Sequence, residues 1–547
     1  AMATAEDSKK DSGHPDPKQL SFTKWTPDFQ VPDPVALSFD SKGRAYVTQT
    51  QRRKANDLDI RLNMDWLIDD LRFTSTEDKE NFYREQFIPE NSAANAGRVE
   101  DFTGDGIHDI KDLMALTERV HLIADEDGDG LADTIHVYAE QLDHVIGGVA
   151  GGVLFHDGDV YVSPVPEVVK FRDTDGDDKA DAREVIASGF GTHLAYAGHD
   201  MHGLFLGPDG RVYWSIGDKG IRVKTADGLD YRFPSQGGLM RCELDGSNFE
   251  IYAHGQRNIQ EVSFDRYGNF FGVDNDADYA GEKERLVYIE QYLDSGWRSN
   301  WQYLRDDYNP WNDDLMHVPY FEGQPRWFTP PLSNYENGPA GFKYNPGTAL
   351  GSEYEEYFFL TSAPRGEQWA FQVKPKGDAF EMVNDHKIGE GVALVGLNFA
   401  PDGALYGVDW GGGYPLNQKG AVWRIDVPEE KAHPDRENTQ GFLEADFSDK
   451  DLEEIVNLCS LFLRHADQRV RLKAQFELAK RGATKELQAF ALDTDYEQIG
   501  RIHAIWGLGQ LIRAEKADES TLVGLFSDAD PEIRTQAIKT VTDPYGR

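Results

Sequence analysis

Apolar and polar residues alternate in a short hairpin pattern that recurs along most of the chain. The clearest copy has an alternating strand up to Leu206, the turn Pro208-Asp209-Gly210, and a second alternating strand from Val212 to Ile216. Proline fixes one φ angle and glycine permits a positive one, so this turn favours a β-hairpin. Similar patterns occupy residues 37–47, 153–162, 262–273, 340–360 and 397–409. Repeated hairpins with variable loops are typical of radial β architectures, so the pattern predicts an all-β, six-bladed β-propeller over residues 21–430.

The spacing of apolar residues changes after the first of these hairpins. The apolar positions there fit a helical stripe better than strict alternation; they are Leu58, Ile60, Leu62, Trp66, Leu67 and Leu71. We therefore predict a helical insertion over about residues 53–120, carried by the propeller. Residues 1–20 are polar and predict a flexible N-terminal segment.

The last part of the chain has a different, helical character. Residues 431–450 are charged, contain proline and lack a period, as expected of a linker. An Arg-x-x-Ala motif then recurs at Arg471, Arg501 and Arg534. This spacing resembles HEAT-type helix-pair repeats, which bury their apolar faces by stacking on one another. We predict an all-α HEAT-like repeat domain over residues 451–547, and expect the native chain to continue because the third repeat ends without a cap.

Charge and composition narrow the function classes. Acidic residues number 96 against 56 basic ones, a formal net charge of −40. Such a surface repels nucleic acids and anionic membranes, so we expect neither as a partner. No apolar run approaches the roughly 18–20 residues that span a bilayer. We expect a periplasmic or extracellular location, with the export signal removed from the start of this sequence.

The cysteines exclude two further possibilities. Only Cys242 and Cys459 are present, and they fall in different predicted domains. A disulfide framework is thereby excluded, and two buried thiols are expected. The sequence contains no Cys-x-x-Cys-His motif, so it has no attachment site for a c-type haem.

Two acidic loops have the opening of an EF-hand-like calcium loop, with carboxylates at alternate positions and a glycine at the bend. The second loop has a further acid, Glu184, at its twelfth position, where the first loop has His136. A third loop, residues 101–109, is a degenerate version. Either full loop is also compatible with a solvated hairpin tip, and a bound calcium ion would be structural. The candidate calcium ligands are Asp125, Asp127, Asp129 and Asp133 in the first loop and Asp173, Asp175, Asp177, Asp181 and Glu184 in the second.

Polar residues cluster at the ends of two neighbouring hairpins. His199 and His202 precede the first strand of the central hairpin, and Asp218 and Lys219 follow its second strand. Histidine suits general-base catalysis near neutral pH, although a histidine beside a turn is often structural. His202 either shares a metal with His199 or faces the core. The next hairpin opens with Gly255-Gln256-Arg257-Asn258, which adds a guanidinium fork and an amide.

These motifs resemble the soluble quinoprotein glucose and sorbosone dehydrogenase family. The matching segments are His199 before Gly207-Pro208-Asp209-Gly210, the stretch 213–220, and Gly255-Gln256-Arg257-Asn258-Ile259-Gln260. The acidic loops and the helical repeats look more like a larger group described as membrane-bound dehydrogenases, whose members often carry a C-terminal cytochrome c module. The chain departs from the quinoprotein pattern at Pro364-Arg365-Gly366, where the family has a lysine, and at Ala393 and Val395, where it has arginines.

The resemblance implies a propeller that binds pyrroloquinoline quinone with calcium and oxidises a sugar or alcohol. His199 would take the hydroxyl proton while a hydride moves to the quinone. The candidate catalytic residues are His199, His202, Asp218, Arg257 and Asn258. The candidate cofactor-binding residues are Arg257, Asn258, Lys219 and Arg365. The expected partners are a carbohydrate substrate and an electron-accepting cytochrome or other protein that docks on the helical repeats.

Two alternatives remain open at this point. A histidine base and an arginine that neutralises a carboxylate would also suit a polysaccharide lyase or hydrolase. Aromatic residues could stack on sugar rings in such an enzyme, or could pack the blades; they are Trp297, Trp301, Tyr303, Trp311 and Trp327. The second alternative is a non-catalytic propeller that binds carbohydrate or protein.

Overall fold

The structure is a computed structural model that describes residues 15, 19–53, 55–275, 284–304, 310–314, 316, 331–335, 338–411 and 415–543. The predicted flexible segment 1–20 therefore lies almost entirely outside the described residues. Most of the described chain forms antiparallel sheets arranged as a β-propeller, and the C-terminal part is helical.

The described strands follow one another from Ser21 to Asp426. In chain order they are β1 (Ser21–Lys24), β2 (Pro34–Phe39), β3 (Ala45–Gln49), β4 (Glu118–Ala124), β5 (Thr134–Leu142), β6 (Ala150–Gly151), β7 (Val153–His156), β8 (Asp159–Val162), β9 (Glu167–Arg172), β10 (Ala182–Ser188), β11 (Met201–Leu206), β12 (Val212–Ile216), β13 (Ile221–Lys224), β14 (Asp230–Phe233), β15 (Gly237–Cys242), β16 (Glu250–Gln256), β17 (Ile259–Phe264), β18 (Phe270–Asp274), β19 (Glu284–Ile289), β20 (Leu293–Asp294), β21 (Ser333–Tyr335), β22 (Pro339–Tyr344), β23 (Tyr357–Ser362), β24 (Glu367–Lys376), β25 (Ala379–Glu390), β26 (Leu394–Phe399), β27 (Leu405–Asp409) and β28 (Ala421–Asp426).

The sheets close into a ring. The first strands of successive sheets, β2, β7, β11, β17, β22 and β26, contact one another in that order, and β26 contacts β2. The N-terminal strand β1 completes the last sheet by pairing antiparallel with β28, so that Ser21 lies opposite Asp426. Strands from both ends of the propeller thus share one sheet, which ties the ring together through backbone hydrogen bonds.

The prediction of six blades needs correction, because the structure has five four-stranded blades and one larger sheet. Five sheets are regular four-stranded blades, built from β2–β5, β7–β10, β17–β19 with β21, β22–β25, and β26–β28 with β1. The sheet that contains the central hairpin has six strands, because β6 and β20 add to its two edges in parallel. Each of these additions is only two residues long. Such short pairings produce no alternating pattern, so the sequence did not reveal them.

The recurrent hairpins are confirmed as pairs of neighbouring antiparallel strands. Their turns follow the expected chemistry. In the first hairpin, the backbone N–H groups of Lys42 and Arg44 donate to Asp40 Oδ1 at 2.9 and 3.0 Å. Gly43 adopts a φ of 82°, which a residue with a side chain rarely tolerates.

Antiparallel pairing places alternate connections at opposite ends of the propeller. We call the end with the β2–β3, β7–β8, β11–β12, β17–β18, β22–β23 and β26–β27 turns the lower end. The segments that precede the first strand and follow the second strand of each sheet therefore meet at the upper end. His199, Asp218 and Arg257 all lie at the upper end.

The helices fall into two groups. The chain between β3 and β4 leaves the upper end as a set of short helices, and the rest follow β28 except for a single turn, α5. The described helices are α1 (Leu67–Asp70), α2 (Thr76–Gln86), α3 (Ser92–Asn95), α4 (Ile110–Met114), α5 (Pro310–Asp313), α6 (Arg436–Glu444), α7 (Leu452–Phe462), α8 (Gln468–Lys480), α9 (Thr484–Leu492), α10 (Gln498–Arg513), α11 (Ser520–Val523) and α12 (Pro531–Thr542). No helix in these described ranges is long and apolar enough to cross a bilayer.

The C-terminal helices pack against the lower end. Side-chain amides of Gln475 and Gln536 donate to the carbonyls of Pro208 and Tyr267 at 2.7 and 2.8 Å. The recurrent arginines have a structural use: Arg471, for example, donates to two carbonyls of the turn before its own helix. Arg534 makes the same kind of contact, whereas Arg501 donates to the carbonyl of Ala491 and to the Asp528 carboxylate. The assignment of the motif to HEAT repeats stays a prediction.

Candidate functional site at the upper end of the propeller

His199 and Asp218 form a buried pair at the upper end of the central hairpin. His199 Nδ1 lies 2.7 Å from Asp218 Oδ1, and the His199 side chain is 8% exposed while that of Asp218 is fully buried. The two residues lie just before β11 and just after β12, so the pairing of these two strands fixes their separation. The geometry is that of a histidine oriented by a carboxylate.

Asp218 accepts two further hydrogen bonds from outside the hairpin. Trp297 Nε1 donates to Asp218 Oδ2 at 2.7 Å, and Gln302 Nε2 donates to the same oxygen at 3.0 Å. Burial acts to raise the pKa of Asp218, but the neighbouring His199 and Arg257 and the hydrogen bond from Trp297 outweigh it and lower that pKa. The carboxyl group is therefore held as an anion.

Arg257 and Asn258 join this pair from the next blade. Their backbone N–H groups donate to the Asp274 carboxylate at 2.8–3.1 Å, and Arg257 O accepts from the Asp218 backbone at 2.8 Å. The Arg257 guanidinium carbon lies 5.6 Å from the Tyr196 ring centre, and the Tyr196 ring centre lies 5.6 Å from that of His199. Residues from neighbouring blades therefore meet at one place.

Gly217 leaves the space that brings His199 and Asn258 together. A Cβ atom at residue 217 would lie 2.7 Å from His199 Cβ and 2.8 Å from Asn258 Oδ1, closer than carbon atoms tolerate. Asn258 Oδ1 is itself buried and has no hydrogen-bond partner within the described part of the chain. A buried amide oxygen without a donor is costly, which is consistent with a ligand-binding position.

Lys219 forms ion pairs with two buried carboxylates. Its Nζ lies 2.5 Å from Asp57 Oδ1 and 2.8 Å from Asp200 Oδ1. Burial, followed by the charge of Asp200, raises the pKa of Asp57 to about 6. The ion pairs of Lys219 with Asp57 and Asp200 link the insertion, which contributes Asp57, to the central hairpin. This geometry favours a structural role for Lys219 over the predicted role in cofactor binding.

His202 lies against Gly198 and Gly151. Its Nε2 lies 3.1 Å from Gly198 O, and a Cβ on Gly151 would lie 2.2 Å from its Nδ1. Burial lowers the pKa of His202. Neither histidine belongs to a group of three possible metal ligands within the ranges that the structure describes. The arrangement favours the core-facing interpretation of His202.

Arg365 lies at the same end but at the surface. It is exposed on the turn Ala363–Arg365 between β23 and β24. The pKa of Glu367 is lowered mainly by Lys387, then by Trp369, and to a smaller extent by the charge of Arg365. Its predicted contact with a cofactor stays a prediction.

The acidic loops lie at the lower end, away from His199. They connect β4 to β5 and β9 to β10, and Arg44 of the first lower turn pairs with Asp178 at 2.7 Å. Carboxylate oxygens of Asp125, Asp127 and Asp133 lie within 4.8 Å of one another, as do those of Asp173, Asp175 and Asp177.

The other predicted calcium ligands have partners within the protein. Asp129 accepts from the backbone of Leu131 at 2.8 Å, Asp181 accepts from Thr174, and Glu184 pairs with Lys170 at 2.6 Å. The acids of the two groups of three also accept backbone hydrogen bonds, but they are the better candidates for a metal site because their oxygens converge. Any ion bound there would be structural.

Three of the five aromatic residues that were predicted either to stack on sugar or to pack the blades form one cluster, and Tyr303 packs against a separate one. Trp297 and Trp311 are 0% and 1% exposed, and their ring centres are 5.7 Å apart. Trp301 packs on both at 6.0 and 5.9 Å. Packing therefore accounts for these three, while Trp327 lies outside the described residues.

Sequence reasoning missed the groups that support Asp218. Gln302 and Trp297 are far from Asp218 in the chain, and no local motif marks them. Arg53 was also missed; its guanidinium packs against Gly198, where a Cβ would lie 2.5 Å from its central carbon. Its position directly after β3, at the upper end, is the signal that could have identified it.

The chain is similar to one protein family and, more distantly, to several solved structures. A family model described as a domain of unknown function (DUF7133) matches residues 19–413. No curated protein matches the chain. One similar solved structure is the PQQ-bound aldose sugar dehydrogenase of Streptomyces coelicolor, at 13% identity and a TM-score of 0.44, covering 74% of this chain and 98% of that one.

Two other solved structures resemble the chain to a similar degree. The soluble aldose sugar dehydrogenase of Escherichia coli, in its apo form, has 12% identity and a TM-score of 0.43, covering 75% of this chain and all (100%) of that one. A calcium structure of a Trichoderma reesei carbohydrate-active enzyme of family AA12 has 12% identity and a TM-score of 0.39, covering 75% and 96%. These similarities are too distant to bear on the chemistry of the site.

Proposed function

Because the chain belongs to the DUF7133 family, which is defined by a domain of unknown function, we propose its activity from the upper-end site itself. The protein is an oxidoreductase of the sugar or alcohol dehydrogenase type. His199 removes the proton of a carbohydrate hydroxyl group, and the hydride on the adjacent carbon passes to a two-electron acceptor. The product is the corresponding carbonyl compound.

The His199–Asp218 pair carries this proposal. An ionised carboxylate only accepts hydrogen bonds, so His199 Nδ1 is the donor in the 2.7 Å contact. The neutral ring then holds its lone pair on Nε2, which is the form that a general base requires. Arg257 and Asn258 supply a cation and an amide next to this base, and both can orient a polar substrate.

The resemblance implies that the protein binds pyrroloquinoline quinone, but the described residues do not fit this cofactor. Lys219 is neutralised by Asp57 and Asp200, and Arg365 is exposed. Arg53 lies in the field of the same two acids. Of the cations predicted to bind the cofactor, those in the described residues leave Arg257 for a ligand with three carboxylates, which normally requires several charge-assisted contacts. The hydride acceptor is therefore not assigned to this quinone.

A dye-reduction assay tests the proposal. The full chain is incubated with a panel of neutral and acidic sugars and an artificial electron acceptor, with and without added quinone and calcium. The proposal predicts substrate-dependent dye reduction in at least one condition. Absence of reduction, together with no thermal shift from any sugar, would remove it. Appearance of unsaturated ends from a polysaccharide would replace it with the lyase alternative.

A further inference from the structure

The segment that follows β20 delivers two side chains to the far side of Asp218. Trp297 N donates to Gly255 O at 2.8 Å and Ser299 N to Ser235 O at 2.8 Å, so this segment is anchored on the six-stranded sheet. Trp297 and Gln302 are both 0% exposed. Their N–H groups converge on one oxygen of Asp218, while His199 occupies the other.

The donor and acceptor roles in this network follow from chemistry alone. An indole N–H can only donate, so Asp218 Oδ2 is an acceptor. The amide of Gln302 has to present its nitrogen to the same carboxylate oxygen, which fixes the orientation of that amide. Each bond stabilises the anionic carboxylate, and an anion at Asp218 obliges His199 to keep its proton on Nδ1.

We propose that Trp297 and Gln302 are positioning residues that hold Asp218 as an anion and thereby set the tautomer and basicity of His199. This inference rests on the proposed role of His199 as a base. The two donors on Oδ2 draw electron density away from Oδ1. Asp218 therefore stabilises the imidazolium form of His199 less than a carboxylate without these two hydrogen bonds would. His199 therefore gives up its bound proton more readily at the end of each turnover.

Other charged and titratable groups act on the same pair. Arg257 and Tyr303 lie in the field of Asp218, and His202 and Tyr196 lie next to His199. None of them donates a hydrogen bond to the Asp218 carboxylate within the described ranges. The effect of Trp297 and Gln302 can therefore be separated from theirs by removing a single N–H group.

The test uses the full chain labelled with ¹⁵N at its histidines, with His199 assigned by its loss in His199→Gln. Trp297→Phe keeps the ring packing but removes the donor, and Gln302→Leu removes the other donor. Each variant should raise the pKa of the His199 imidazolium by about half a unit to one unit. Trp423→Phe and Gln440→Leu remove similar bonds to Asp409 and Glu444 elsewhere, and should leave His199 unchanged.

The wild-type spectrum alone can overturn the proposal. Neutral His199 with its proton on Nε2 would contradict it even if neither variant folds. Unchanged titration of His199 in a folded Trp297→Phe or Gln302→Leu protein would also contradict it. Because these measurements need no turnover, a failed dye-reduction assay would leave them standing and would count against the proposed function only.

Discussion

His199 and Asp218 lie 19 residues apart in the chain, with their side chains in contact at 2.7 Å across the end of one hairpin. A two-stranded hairpin is a local structure, so this contact depends on the register of β11 and β12 and not on long loops. The remaining parts of the site come from elsewhere: Arg257 from the next blade, Asp57 from the insertion, and Trp297 and Gln302 from the segment after β20.

Gly217→Ala tests whether close contact assembles the site. The added methyl group would meet His199 Cβ and Asn258 Oδ1 at under 3 Å, so one of them must move. We expect a loss of about 1–3 kcal/mol in the free energy of unfolding and a shifted His199 resonance. Gly97→Ala is the matched control, because its Cβ would meet no atom within 4 Å. Equal behaviour of the two variants in urea unfolding and NMR would refute the contact.

Lys219→Met distinguishes a structural lysine from one that binds a cofactor. Removing the cation leaves Asp57 and Asp200 buried side by side, which typically costs about 3–5 kcal/mol of stability. Urea unfolding without any ligand measures this cost. Lys111→Met, which removes an exposed ion pair, should leave the unfolding midpoint unchanged. A ligand-free Lys219→Met protein as stable as wild type would instead favour cofactor binding.

Asp57 should give the stability a specific pH dependence. Its pKa is raised from 3.8 to about 6, so the folded state holds this proton more tightly than the unfolded state. The stabilising contribution is complete below about pH 4 and is lost as the pH rises through 6. Relative to Asp57→Asn, the wild type should therefore lose on the order of 2–3 kcal/mol between pH 4 and pH 7. Parallel pH profiles of the free energy of unfolding for the two proteins, measured in urea, would contradict this. Asp69→Asn, at the surface, is the control and should follow the wild-type profile.

The hairpins could be predicted because their signals are local. Asp40 and Gly43 determine a turn within five consecutive residues, and alternation determines the face of each strand. The two extra strands β6 and β20 could not be predicted in the same way. They pair in parallel with β11 and β16 only because the closed ring brings the connecting segments alongside.

The site likewise contains residues whose positions could be predicted from the sequence and residues whose positions could not. His199, Asp218 and Arg257 stand at hairpin ends, so counting strands places them together. Trp297 and Gln302 lie 79 and 84 residues after Asp218 in the chain, and only the folded structure brings them into contact with it. No spacing in the sequence predicts this contact. The role predicted for Lys219 did not take account of Asp57, because the insertion that carries Asp57 had no predicted position relative to the hairpin.

Calcium should stabilise the lower end. Three carboxylates in each acidic loop already converge within 4.8 Å, and hard oxygen ligands of this kind suit calcium. Calcium at about 100 times its Kd would add about 2.7 kcal/mol to the stability of the folded state for each loop that binds it, and a chelator would reverse the gain. The double variant Asp127→Asn with Asp175→Asn should lose this response. Identical melting temperatures in chelator and in excess calcium would show that the loops are solvated hairpin tips.

The most direct measurement compares the kcat/KM of wild type and His199→Ala for substrate-dependent dye reduction, using the sugar that the panel identifies. A general base contributes about 10²–10⁴-fold, so we expect a loss of that size with little change in melting temperature. His136→Ala, a histidine at the lower end, should retain wild-type activity. Turnover by His199→Ala at the wild-type rate would contradict the account.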